Sequence, residues 1–88
     1  MTLKEFKIQL ALGSISLEEK NRMADNPNTP IEVLEKLSKD ENEYVRYAIA
    51  SNPNTPIEVL KRLSKDRSRF VRSNVANNPS YKRDNNDS

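Results

Sequence analysis

Carboxylates, arginines, lysines and tyrosines are the side chains that could do chemistry here, because the 88 residues include no histidine and no cysteine. Two carboxylate pairs, Glu18 with Glu19 and Glu41 with Glu43, could support acid–base catalysis if one carboxyl group were desolvated in a cleft. Both pairs fall on predicted helix surfaces or links, which favours solvated positions. No glycine-rich phosphate loop, nucleophile elbow or HExxH pattern occurs. We therefore expect no enzymatic activity, no metal site, no cofactor and no small-molecule substrate.

Arg46 and Arg72 recur at one spacing, six residues after Asp40 and Asp66 respectively. One interpretation is a row of guanidinium groups presented to a carboxylate or phosphate ligand. The other is a structural ladder, in which each arginine pairs with the aspartate of its own sequence unit or with helix-end carbonyls. Their recurrence alongside turn residues favours the structural ladder.

Basic side chains are concentrated in residues 51–88, which hold 8 basic and 4 acidic residues, against 7 and 9 in residues 1–50. Such a surface could contact nucleic-acid phosphates or steer an acidic protein partner, and an ordinary solvated surface is the third interpretation. The candidate partner-binding cations are Lys61, Arg62, Lys65, Arg67, Arg69 and Arg72.

Three of the five aromatic residues fall close together in register. Tyr44 and Phe70 occupy equivalent positions of two similar sequence units, which predicts packing between neighbouring units. Tyr47 has no aromatic equivalent, since Ser73 takes its place. Tyr47 therefore either packs on the first two helices or, exposed beside Tyr44, anchors a protein contact. Tyr44 and Tyr47 join the candidate partner-binding residues.

An internal sequence repeat must position all these side chains. The nine residues 26–34 return unchanged as residues 52–60, and aligning 26–50 with 52–76 gives 16 identical pairs out of 25. Only 34% of the residues are hydrophobic. Such a thin core suits stacked helical repeats, in which each helix pair buries one face against its neighbour.

The helix boundaries follow from local signals. Capping-box spacing at Thr2-x-x-Glu5 and Ser16-x-x-Glu19 predicts helices at about 3–12 and 17–25. In each repeated unit we expect a threonine N-cap, a proline in the first helical position and a glutamate that completes a capping box. These signals predict helices at about 30–39 and 56–65, each followed by a second helix. About six short helices result, and both α and 3₁₀ geometry remain open.

The apolar residues of the unit predict its buried face. Ile31, Leu34 and Leu37 fall on one side of the first helix, with Val33 flanking them. The equivalents in the second unit, together with Val75, could leave apolar area at the C-terminal face of the stack. Such a face would suit a dimer or a partner, so both a monomer and a homodimer remain open.

We expect residues 1–79 to form a single helical-repeat domain. Residues 1–25 would supply N-terminal capping helices and a half-repeat, residues 26–51 the first repeat and residues 52–79 the second. Residues 80–88 contain one aromatic and no other apolar residue, which predicts a disordered tail.

The block Asn-Pro-Asn-Thr-Pro-x-Glu-Val-Leu-x-x-Leu-Ser-Lys-Asp, followed by Tyr/Phe-Val-Arg and Ala-x-Asn-Pro, resembles the leucine-rich repeat variant family over about residues 24–79. The resemblance implies an all-α, right-handed superhelix of short helix pairs similar to HEAT arrays, some of them 3₁₀. The founding member of that family carries an iron–sulfur cluster in a cysteine-containing segment. This chain has no cysteine, so that cofactor is not expected.

The opening Met-Thr-Leu-Lys-Glu-Phe, together with these repeats, is similar to short accessory proteins of T4-like phages, such as the cytoplasmic antiholins of lysis inhibition. This similarity implies a phage regulatory protein that binds the cytoplasmic part of a membrane protein.

The leading hypothesis is a non-enzymatic module that binds a protein partner through its repeat surface. The alternative is nucleic-acid binding through the basic second repeat, and a third possibility is a scaffold whose specificity lies in its tail. No apolar run approaches the roughly 20 residues that span a bilayer, and the first residues lack the pattern of a signal peptide. We expect a cytoplasmic protein that is not embedded in a membrane.

Overall fold

The structure is a computed structural model that describes residues 1–86, with side chains described as far as Arg83. This part of the chain contains seven α-helices and no strand, which confirms the all-α prediction. The prediction of about six helices was wrong, and each of the seven is α rather than 3₁₀. The helices are α1 (Leu3–Leu12), α2 (Leu17–Asp25), α3 (Ile31–Leu37), α4 (Glu43–Ser51), α5 (Ile57–Leu63), α6 (Arg69–Asn77) and α7 (Pro79–Asn86).

The interval of the sequence repeat also spaces the helices. Helices α2, α4 and α6 have the same length and begin at Leu17, Glu43 and Arg69, one repeat interval apart. Helix α4 packs against both α2 and α6, while α3 and α5 contact the helices that precede and follow them. The side chains of α4 and α6 therefore occupy equivalent places on adjacent helices.

The first two helices begin and end as predicted. The Thr2 hydroxyl accepts from the Glu5 amide, and the Glu5 side chain accepts from the Thr2 main chain, which forms a capping box. Ser16 likewise accepts from the Glu19 amide. Gly13 ends α1 with φ of 70°, a left-handed conformation that costs glycine little because it has no Cβ. Residues close together in the sequence were therefore sufficient to predict these helix ends.

The predicted threonine caps of the repeated units were wrong. Thr29 donates its hydroxyl to the carbonyl of Met23 at 2.6 Å, and Thr55 donates to Ile49 at 2.7 Å. Helices α3 and α5 begin one residue after their prolines, with no side-chain cap. The last carbonyls of a helix lack a partner within it, and the threonines supply one. Their role is therefore to tie the end of one helix to the start of the next.

The buried face of α3 is shifted from the predicted one. Val33, Leu34 and Leu37 are at most 5% exposed, whereas Ile31 is 55% exposed. At about 100° per residue, the three buried positions lie within about 100° of one another, and Ile31 lies outside that sector. Ile31 therefore belongs to the surface of the molecule.

Two buried asparagines join successive turns of the chain. Asn52 is 2% exposed, and its amide Nδ2 donates to the carbonyls of Ala24 at 2.7 Å and Asn26 at 3.1 Å. Its Oδ1 accepts from the main-chain N–H of Asn54 at 2.9 Å. Asn78 repeats this pattern one unit later, on the end of α4. Each asparagine thus makes a local turn and also bonds to the equivalent turn before it.

We expect Asn52→Ala to lower the free energy of unfolding by about 2–3 kcal/mol, because the buried carbonyl of Ala24 loses the donor that Asn52 provides and the Asn54 N–H loses its acceptor. The matched control is Asn26→Ala. Asn26 has the same register but is exposed, and its side chain accepts only from the Asn28 main chain among the described residues. Asn26→Ala should cost less than about 1 kcal/mol. Urea unfolding followed by circular dichroism measures both, and equal losses would contradict the bridging role of Asn52.

Helix α7 corrects two predictions about the C-terminal part of the chain. Residues 80–86 are helical rather than disordered, and residues 87–88 lie outside the described part. Helix α7 contacts α5 and α6, and Tyr81 packs against the core. Leu60, Leu63 and Val75 are consequently at most 2% exposed. The expected apolar area at the C-terminal face is covered by this helix.

Candidate interaction surfaces

Cations of α2 and α4 pair with aspartates that lie further along the chain. Lys20 Nζ lies 2.8 Å from Asp40 Oδ1. Arg46 makes a two-pronged contact with Asp66, Nε to Oδ2 at 2.9 Å and Nη2 to Oδ1 at 3.3 Å. The predicted pairing of each arginine with the aspartate of its own unit was wrong, because the ion pair connects one unit to the next.

Arg46 also bonds to main-chain carbonyls, but these belong to the link between α3 and α4 and not to a helix end as predicted. Arg46 Nη1 donates to the carbonyls of Asp40 at 2.7 Å and Glu41 at 2.9 Å. The side chains of Arg46 and Asp66 are 5% and 9% exposed. Arg46 is thus buried and makes four side-chain hydrogen bonds, which gives it a structural role.

Arg72 has the register of Arg46 but different surroundings. Its Nη1 donates to the carbonyl of Asp66, just as Arg46 donates to that of Asp40. Among the side chains described, those of residues 1–83, no carboxylate forms an ion pair with Arg72, and Arg72 is exposed. The two arginines that looked equivalent in the sequence therefore differ in their contacts and burial.

Three of the six candidate cations line one groove, which we call the basic groove. Arg62, Lys65 and Arg67 lie there together with Lys39 and the paired Arg46. Arg62 Nη2 donates to the hydroxyl of Ser38, and Arg67 Nη2 donates to the carbonyl of Glu41 at 3.2 Å. Several of these cations are thus oriented by the preceding unit.

The other candidate cations, Lys61, Arg69 and Arg72, do not line the basic groove. The guanidinium of Arg69 instead lies over the ring of Phe70, 5.3 Å from its centroid. The six cations predicted as one face are divided between different parts of the surface.

The sequence interpretation missed two cations of the first unit. Lys36 and Lys39 line a neighbouring groove with Lys20. They occupy the same register in the first unit as Arg62 and Lys65 in the second, so the repeat alignment itself held the signal. Basic side chains at these positions are therefore present in both units and not only in the second.

A second surface feature, the aromatic groove, is lined by Glu43, Tyr44, Tyr47 and Phe70. The exposed fractions of the three aromatic residues are 68%, 44% and 58%. The prediction that Tyr44 and Phe70 pack between units was wrong, because both rings project from the first turns of α4 and α6 into solvent. Tyr47 is exposed beside Tyr44, which is one of the two alternatives left open by the sequence.

The packing of α4 against α6 fixes the shape of the aromatic groove. Tyr44 and Tyr47 lie one helical turn apart on α4, at the spacing that places side chains on one face. Asn74 of α6 donates its Nδ2 to the carbonyl of Tyr47 at 2.9 Å and links the two helices there. Asn74 replaces Ala48 of the first unit, so a divergent position of the repeat helps to build the groove.

These features define an all-helical protein with an aromatic groove and a basic groove on its surface. No protein-family model, curated protein or solved structure matches the chain. Across residues 1–86, each helix is too short or too polar to cross a bilayer.

Proposed function

We propose that the protein is a non-enzymatic, cytoplasmic module that binds a protein partner through the aromatic groove. Its short helix pairs would form a right-handed, HEAT-like superhelix, as the resemblance to leucine-rich repeat variants implies. The observation that carries the proposal is the clustering of Tyr44, Tyr47 and Phe70, all exposed, on two packed helices.

The chemistry of the aromatic groove favours a protein as its ligand. Tyrosine and phenylalanine are enriched in the cores of protein interfaces, where their large rings bury apolar area and tyrosine hydroxyls find partners. The groove is held by helices that already pack together, so binding need not order the main chain beneath it. Arg69, seated over Phe70, adds a cation at its edge.

The similarity to short accessory proteins of T4-like phages supports a more specific form of the proposal. The partner would then be the cytoplasmic part of a membrane protein, as for an antiholin of lysis inhibition. Both a monomer and a homodimer are compatible with a groove formed within one chain.

Nucleic-acid binding is the second candidate, favoured by the basic groove. That groove holds five cations and two carboxylates, and Arg46 already pairs with one of the carboxylates. Arg62 and Arg67 already donate hydrogen bonds to the preceding unit. Two cations, Lys39 and Lys65, are therefore left without a polar partner among the described residues. Phosphate binding relies on several unpaired cations. A protein partner is therefore the stronger proposal.

A photo-crosslinking residue in place of Phe70 tests the proposal in cells that naturally make the protein. We expect a single protein adduct, reduced at least about tenfold by Tyr47→Ala, because truncation of a hot-spot aromatic costs about 2 kcal/mol or more. The matched control places the crosslinker at Leu12, which is 75% exposed on α1.

Equal adducts from positions 70 and 12 would contradict a specific groove. Adducts with nucleic acid instead of protein would favour the second candidate. Since Tyr47 is partly exposed, Tyr47→Ala should change the free energy of unfolding by less than about 1 kcal/mol. A melt of the variant therefore separates lost binding from lost folding.

A further inference from the structure

We propose that Arg72 is a docking point for an aspartate carboxylate of the protein partner, bound in the way that Arg46 binds Asp66. This inference rests on the proposed function in one respect, namely that a protein partner exists. It specifies that the partner presents an aspartate carboxylate. It concerns a side chain outside both the aromatic groove and the basic groove.

Arg72 is held in position by the same main-chain contact that positions Arg46. In each case Nη1 donates to the carbonyl of the aspartate six residues earlier. At Arg46, the opposite edge of the guanidinium, Nε and Nη2, receives a carboxylate. At Arg72, that edge makes no hydrogen bond to the described side chains, those of residues 1–83, and Arg72 is exposed. A guanidinium group held in place can donate two parallel hydrogen bonds to the two oxygens of a carboxylate.

The two existing aspartate ligands define which carboxylate fits this site. In each, one carboxylate oxygen accepts from a main-chain N–H two residues later. The other oxygen of Asp40 contacts Lys20, whereas both oxygens of Asp66 contact Arg46. Asp40 accepts from the Asn42 N–H at 3.0 Å, and Asp66 accepts from the Ser68 N–H at 2.9 Å. Both aspartates stand just before a helix, as in an Asx turn. The expected ligand is therefore an aspartate two residues before a free main-chain N–H, at the start of a partner helix.

Charge also favours an acidic segment at this place. Lys65 has the same register relative to Arg72 as Lys39 has to Arg46, and Lys65 is exposed. The half of the sequence that contains Arg72 carries a twofold excess of basic over acidic residues. Complementary charge steers association and fixes the register of docking.

The test uses the full chain and a synthetic peptide with the sequence of residues 38–45, which includes the aspartate that pairs with Lys20. The arginine Nε–H resonances are followed by NMR during titration. We expect a saturable shift at Arg72, while the resonance of Arg46, already bound to Asp66, stays in place. Arg72→Gln should weaken peptide binding about two- to fivefold, the range that an exposed ion pair supplies.

Two controls separate a specific site from general attraction. Arg22→Gln removes the same charge from an exposed arginine of α2, outside both grooves, and should leave the affinity unchanged. The peptide carrying Asp40→Asn should bind about two- to fivefold more weakly, as the Arg72→Gln variant does, because each change removes one partner of the same ion pair. Equal shifts at Arg67, Arg69 and Arg72 with the unmodified peptide, or unchanged affinity of the Asn peptide, would overturn the inference.

The outcomes also distinguish this inference from the proposed function. A protein adduct at position 70 without a saturable shift at Arg72 would remove the inference and leave the proposed function intact. A saturable, aspartate-dependent shift at Arg72 without any protein adduct would support the carboxylate site and count against the aromatic groove as the partner surface.

Discussion

Arg46→Gln is expected to lower the free energy of unfolding by about 3–5 kcal/mol, because it removes one partner of a buried ion pair. The side chain of Asp66, 9% exposed with Arg46 in place, would keep only the Ser68 N–H as a hydrogen-bond donor among the described residues. The link carbonyls of Asp40 and Glu41 would also lose the donors that Arg46 provides. A domain of this length has about 4–13 kcal/mol of stability, so the variant could be largely unfolded.

The register-matched control is Arg72→Gln. Arg72 makes one main-chain hydrogen bond and no ion pair with the side chains of residues 1–83, so its replacement should cost less than about 1 kcal/mol. Urea denaturation of both variants, followed by circular dichroism, measures the difference. If the two substitutions cost the same, the contact between Arg46 and Asp66 contributes little to stability in solution. Helical content before denaturation reveals whether Arg46→Gln has already unfolded.

The sequence predicted those parts of the fold that depend on neighbours along the chain. The capping residues of α1 and α2 and the glycine that ends α1 act within a few residues, so their chemistry can be recognised without a structure. The spacing of α2, α4 and α6 follows the repeat interval. Repeated residues require repeated surroundings, and the alignment of two units therefore carried this information.

Contacts between units could not be predicted from the sequence, because several partners were chemically acceptable for the same side chain. Arg46 could pair with Asp40 or with Asp66, and only the packing of helices decides between them. Thr29 could cap its own helix or bond to the helix before it, and both satisfy a hydroxyl. For Asn52, the local turn was evident, but its bonds to the preceding turn reach back across a whole repeated unit.

The composition of the C-terminal segment predicted disorder, but that polar segment packs against the helices before it. Residues 79–86 are too polar to form a core, yet Tyr81 packs against the core beside α5 and α6. A single aromatic on an existing apolar face offsets part of the entropy of ordering a short helix. The aromatic groove shows the opposite case. Tyr44 and Phe70 were assigned to packing between units because they occupy equivalent positions of the repeat, yet α4 and α6 turn them outward.

Leu34→Ala and Leu60→Ala should each lower the free energy of unfolding by about 2–5 kcal/mol. Both side chains are 0% exposed and occupy equivalent places in α3 and α5. The loss combines the transfer free energy of the removed methyl groups with the cost of the cavity left behind. Thermal and urea unfolding of the two variants measure it, and a similar loss in both is expected because their surroundings are equivalent.

Ile31→Ala is the control that tests the register of α3. Ile31 lies three residues before Leu34 in the same helix and is 55% exposed, so its truncation should cost less than about 1 kcal/mol. The sequence pattern alone places Ile31 and Leu34 on one face and predicts similar losses. A loss at Ile31 as large as at Leu34 would therefore favour the face deduced from the sequence. A large loss at Leu34 alone would establish that α3 buries Val33, Leu34 and Leu37.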